Sequence, residues 1–145
     1  MGDLQIESIT HWSIAVNNLD ESDAFYGDLL GMDHIGRLGT GGMSCFGVGD
    51  HRIILCEREE RVDNIRERDP NVHYSLTVST ETLNKACKLF AEREVEVVEL
   101  MYRRKGVFIG KELYFNDPSG NRLELRDPTW RDGMPEPTYE EIVNS

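Results

Sequence analysis

Two histidines stand in matching contexts: "ITHWSIAV" carries His11 and "NVHYSLTV" carries His73. A third stretch, "NRLELRD", offers Glu124 between Leu123 and Leu125. Two imidazoles and one carboxylate form a donor set that leaves positions open on Fe(II), Mn(II) or a similar divalent ion. An ion held in this way can take a substrate through two neighbouring oxygens. A single histidine in a strand is ordinarily a hydrogen-bonded core or edge residue, and it is the repetition of the pattern that makes this pair candidate ligands. His34 and His51 lack such partners and are expected in or beside turns.

Strands must position these groups. Side chains alternate faces along a strand, so His11, Ser13 and Ala15 share one side of the first segment, with Trp12, Ile14 and Val16 on the core side. The same arithmetic groups His73, Ser75 and Thr77 opposite Tyr74, Leu76 and Val78. In the last strand Arg122, Glu124 and Arg126 share a face while Leu123 and Leu125 point to the helices.

The segment after each histidine strand repeats as well. Asp20 is placed to cap a helix carrying Phe25, Tyr26, Leu29 and Leu30, which Gly31 ends. Ser79 or Thr80 is placed to cap a second helix whose Leu83, Ala86, Cys87 and Phe90 form an amphipathic stripe. Short strands are expected near 33–38, 42–48 and 52–57, and again near 95–103, 111–116 and 121–126, with "DPSGN" as a turn. The chain thus reads βαβββ twice, module 1 over about 8–57 and module 2 over about 71–127. A charged linker spans about 58–70, with a helical turn at most, and an extension covers 128–145. Within that extension 138–143 is expected to be helical, with Trp130, Met134, Tyr139 and Ile142 packing on the body or on a second subunit. The fold class is α+β, one domain in which the paired modules form a curved, mostly antiparallel sheet around a metal-binding cleft.

The totals narrow the partners. A chain of 145 residues fits one domain able to bury roughly 70% of its unfolded surface. With 39% hydrophobic and 30% charged residues and no long apolar run, no membrane partner is expected. A net charge of −11 without a basic stripe argues against nucleic acid. Cys45, Cys56 and Cys87 are few and odd in number and "MGDLQIES" carries no export signal, so a cytoplasmic location with reduced thiols is expected.

The stretches "ITHWSIAVNNLDESDAFYGDLLGM", "NVHYSLTV" and "KELYFNDPSGNRLEL" together resemble the vicinal oxygen chelate superfamily over roughly residues 8–127. That group holds glyoxalase I, extradiol dioxygenases, fosfomycin-resistance enzymes and bleomycin-binding proteins. The resemblance implies paired βαβββ modules around one divalent ion, often within a homodimer, acting on a small molecule. It carries the ligand role onto His11, His73 and Glu124, and a hydrogen-bonding catalytic role onto Tyr114. Ser13 and Ser75, beside the histidines, are candidate substrate contacts, as is Cys56, expected to line the pocket as a small apolar wall. In the fosfomycin-type comparison Arg103, Arg104 and Lys105 stand where a phosphonate-holding lysine would be.

Several branches stay open. Glyoxalase chemistry lacks its fourth ligand, since "RIILCE" turns Ile54 and Cys56 to the cleft and Glu57 away. Extradiol enzymes typically add two further histidines that are missing here. We place a ring-cleaving dioxygenase using Fe(II) or Mn(II) first, because vacant positions on a two-His, one-Glu ion suit oxygen. A fosfomycin-type thiol or water transferase, or a glyoxalase-type lyase or isomerase, using Mn, Ni, Zn or Co, is the alternative. A metal-free drug-binding module is the second.

Overall fold

The computed structural model describes residues 2–63 and 65–145. The chain divides into two compact units, Met1–Val62 and Asp63–Ser145, so the boundary falls inside the charged linker and the extension belongs to the second unit.

The first unit runs β1 (His11–Val16), α1 (Leu19–Asp23), β2 (Asp33–Leu38), β3 (Met43–Val48) and β4 (His51–Glu57). Its sheet has the order β1-β4-β3-β2, with β1 and β4 parallel and the other pairs antiparallel. The cap of α1 is Asn18 rather than Asp20: its side chain accepts from the Glu21 amide at 2.8 Å, and Asp20 lies inside the first turn. Glu57, turned to this face as alternation requires, accepts from the Leu19 amide at 3.0 Å. The helix then widens into a π-helical segment, Ala24–Leu29, in which the Leu30 amide reaches back to the Phe25 carbonyl. Phe25 and Tyr26, adjacent in this segment, are both buried, in one core with Phe46, Ile14 and Leu55. Gly31, at φ 76°, supplies the left-handed residue that ends it.

Two expectations fail here. Trp12 is 51% exposed although it lies on the core face of β1; the contacts of α1 with this sheet are strongest at β3 and β4, and burial along β1 begins only at Ile14. His34, near the start of β2 and beside the turn before it, is not without partners as expected: its Nε2 lies 2.7 Å from Ser44 Oγ and its ring stacks on Phe46 at 4.7 Å. His51 does follow the turn before β4 and contacts the Ile9 carbonyl.

The second unit holds α2 (Ile65–Arg68), β5 (Tyr74–Thr77), α3 (Thr80–Glu92), β6 (Val97–Arg103), β7 (Gly110–Asn116), β8 (Arg122–Asp127) and α4 (Tyr139–Val143). Its sheet repeats the first, in the order β5-β8-β7-β6 with β5 and β8 parallel. The α+β class and the mostly antiparallel pairing hold, in two four-stranded mixed sheets that each contain one parallel pair. Each sheet closes this way because its last three strands form a meander that returns beside the histidine strand.

Ser79 caps α3, and Leu83, Ala86, Cys87 and Phe90 bury its stripe against Leu113, Phe115, Leu123 and Leu125. Burying each such side chain contributes about 1.5–3 kcal/mol. The extension packs on this unit. Trp130 and Ile142 are buried, the Tyr102 hydroxyl donates to the Pro137 carbonyl, and Tyr139 donates to the Cys87 carbonyl, while Met134 stays 45% exposed.

Gly110 opens β7 at a close approach: a Cβ there would stand 2.5 Å from the Asp127 carbonyl oxygen and 2.8 Å from the Arg126 guanidinium. Backbone cannot yield as a flexible side chain does, so Gly110→Ala is expected to lower stability by about 2 kcal/mol. Urea denaturation would check this, and an unchanged midpoint would refute it.

Candidate metal-binding cleft

Alternation along β8 puts Leu123 and Leu125 under α3 and turns Glu124 to the opposite side. On β7 the same rule puts Glu112 and Tyr114 on that side too, and the pairing of Tyr114 with Glu124 and of Ser75 with Glu124 sets three strands side by side. His73, one residue before β5, completes the group. Its Nε2 lies 3.4 Å from Glu124 Oε1 and its ring meets Tyr114 edge-on at 5.7 Å.

The histidine's orientation is chemically specific. Its Nδ1 lies 2.9 Å from the Asn71 carbonyl. A carbonyl can only accept, so Nδ1 carries a proton, and Nε2 is the nitrogen turned toward Glu124. Nε2 faces one carboxylate oxygen of Glu124, which is 3% exposed; the second oxygen is buried with no hydrogen-bond partner among the described residues, the Arg126 Nε standing 3.9 Å away. A proton on Nε2, or a cation between the two groups, satisfies this approach. Two donors at ordinary bond lengths of about 2.1 Å from one ion stand roughly 3.0–3.4 Å apart, so His73 and Glu124 fit a divalent ion.

Around this pair lies a cleft of about 770 Å³, lined on one side by His73, Ser75, Glu112 and Glu124 and on the other by Lys105, Val107 and Phe108. Glu112 is 2% exposed and accepts from Arg103 Nε at 2.8 Å and from the Tyr114 hydroxyl at 3.3 Å. Burial, then the neighbouring Glu124, push the Glu112 carboxyl above the usual glutamate range, and Arg103 opposes them. Burial, then Glu124 and Glu112, likewise raise the Tyr114 phenol.

The remaining expected site residues fall in different places. Ser75 and Lys105 line the cleft. Arg104 turns to the extension, paired with Asp132 at 3.1 Å and with Glu136, its guanidinium 5.7 Å from the Trp130 ring. His11, Ser13 and Cys56 belong to the first unit. His11 opens β1 with Nδ1 3.1 Å from Thr10 Oγ1, Ser13 is exposed, and Cys56 is a half-buried free thiol on β4. The internal repeat is informative: Ser13 pairs with Ile54 as Ser75 pairs with Glu124, so the first unit carries an apolar residue where the second carries its carboxylate. Among the described residues no three His, Cys, Asp or Glu side chains form a metal-holding cluster. Glu112 escaped sequence reading, although the alternation of "KELYF" already places it beside Tyr114, two residues on.

The model of a family described as Glyoxalase/Bleomycin resistance protein/Dioxygenase superfamily matches residues 8–125. A glutathione transferase FosA of Serratia marcescens is 30% identical over 128 residues, covering 83% of this chain and 80% of that protein. A metallothiol transferase FosB of Staphylococcus epidermidis is 25% identical over 131 residues, covering 90% and 89%. The crystal structure of the fosfomycin resistance protein FosX of Listeria monocytogenes superposes with a TM-score of 0.68 at 19% identity, over 85% of this chain and 94% of that one. No helix among the described residues is long and apolar enough to cross a membrane.

Proposed function

The chain belongs to the Glyoxalase/Bleomycin resistance protein/Dioxygenase superfamily, and from that membership we propose a metal-dependent transferase of the fosfomycin-resistance type. It would add a thiol or water across an electrophilic bond of a small molecule held through its oxygens. This reverses the order reached from sequence, where vacant coordination positions put dioxygenase chemistry first; the named relatives are thiol and glutathione transferases. The observation that supports the metal dependence is His73 Nε2 facing the buried Glu124 carboxylate across 3.4 Å, with Nδ1 held by the Asn71 carbonyl.

His73 and Glu124 hold the ion in this reading. A bound divalent ion supplies Lewis-acid stabilisation of negative charge developing on a substrate oxygen. Lys105 and Arg103 meet an anionic group of the substrate. Tyr114 serves as a positioning residue, its ring edge-on to His73 and its hydroxyl on Glu112. In the addition the thiol sulfur bonds to an epoxide carbon, the carbon–oxygen bond breaks, and the released oxygen takes the thiol proton. Homodimeric assembly in the cytoplasm belongs to the same reading.

The test is incubation of the protein, loaded in turn with Mn(II), Ni(II) and Zn(II), with an epoxide-bearing phosphonate and glutathione, cysteine or water alone. An adduct detected by mass spectrometry, abolished by chelator and indifferent to oxygen, is expected. Adduct formation that survives chelation, or turnover that requires oxygen, refutes the proposal.

A further inference from the structure

The cleft has an apolar wall that neither the ion nor an anion-binding role uses. Val107 is 89% exposed and Phe108 65% exposed, yet both line the cleft that contains His73 and Glu124, with Pro128 beside them. Large apolar side chains left this wet at a binding cleft mark a surface that a partner group covers.

Phe108 is not a loose tip. Arg126 Nη2 donates to the carbonyls of Phe108 and Ile109 at 2.7 and 3.0 Å, and its guanidinium sits 5.4 Å from the Phe108 ring centre. Arg126 is itself only 9% exposed, and the close approach of Gly110 to Asp127 fixes the next turn of backbone. The ring is therefore held in place from one side by a buried cation, and its remaining surface is offered to the cleft. A rigid ring presented in this way costs little ordering entropy on binding, which favours a flat partner over a flexible one.

Resting on the transferase reading, we propose that the natural substrate carries a flat apolar group, an aromatic ring or its equivalent, that lies against Phe108 while its neighbouring oxygens reach the His73–Glu124 end of the cleft. Phe108 is then the residue that sets specificity. The space of about 770 Å³ holds both parts of such a molecule.

Two hydroxamates separate the claims, since acetohydroxamate and benzohydroxamate present the same oxygen pair and differ only by the ring. Their affinities for Mn(II)-loaded protein would be measured by calorimetry, with ion-free protein as control. Benzohydroxamate is expected to bind about tenfold more tightly, and Phe108→Ala to erase that advantage while leaving acetohydroxamate unchanged. Equal affinities in the native protein, or an advantage that survives Phe108→Ala, overturns the proposal while metal-dependent acetohydroxamate binding keeps the metal site. Failure of both ligands to bind the loaded protein overturns the two together. If Phe108→Ala instead shifts the oligomeric state in size-exclusion chromatography without touching the ligand difference, the ring contacts a second copy and the proposal fails.

Discussion

Replacing Glu124 with glutamine is expected to stabilise the ion-free protein and at the same time abolish tight divalent-ion binding. The carboxylate is buried, its second oxygen has no hydrogen-bond partner among the described residues and lies 3.9 Å from Arg126 Nε, and it confronts His73 Nε2 and the raised carboxyl of Glu112. An amide of the same shape turns one of the carboxylate oxygens into a donor and relieves the repulsion from Glu112, which outweighs the lost 3.9 Å approach of Arg126 for a net gain of about 1 kcal/mol. The same change deletes a ligand. Outer partners of metal ligands already affect affinity by 10–100-fold, so loss of a ligand is expected to cost at least about 100-fold. His73→Ala shares the affinity loss but shifts stability little, because that side chain is 36% exposed. Metal content after dialysis and denaturation of the ion-free forms measure the two effects. A glutamine variant that keeps the ion, or one less stable than the parent, would falsify the assignment of Glu124.

Arg103→Ala is expected to lower stability by about 2 kcal/mol near pH 8 and by much less near pH 5. Arg103 is the cation that offsets Glu112, through contacts of 2.8 and 3.4 Å, and breaking a buried pair typically costs 3–5 kcal/mol. The smaller figure reflects screening, since Arg103 is 40% exposed. The pH dependence comes from the direction of the Glu112 shift. Its folded pKa lies above the ordinary 4.5, so folding retains a proton that the unfolded chain releases, and stability falls as pH rises through that window. Removing Arg103 takes away the one influence holding the Glu112 value down from this side, which widens the window upward. At low pH a protonated Glu112 shares its hydrogen with Glu124 and the missing cation matters less. Urea denaturation of both proteins at the two pH values decides it, and an equal stability gap at both would sink the account.

Much of this was legible in the residues themselves. Period-two alternation assigned Glu124 and the leucines of β8 to opposite faces, and the helix spacing of Leu83, Ala86, Cys87 and Phe90 fixed the buried stripe of α3. These are local rules, since the direction of a side chain follows from its own backbone and its immediate neighbours. The repeat of "HWSIAV" and "HYSLTV" announced two equivalent strands, each beside the last strand of its own sheet.

Tertiary structure decided what depends on partners distant in the chain. The exposure of Trp12 depends on where α1 comes to rest, and the partners of His34 depend on which residues of β3 lie opposite it. The commitment of Arg104 to Asp132 and Glu136 needed the extension to fold back onto the second unit. Glu112 became part of the site only when β7 paired with β8, because a carboxylate acquires a raised pKa from burial and from a neighbouring charge, neither of which is a property of its own stretch of sequence.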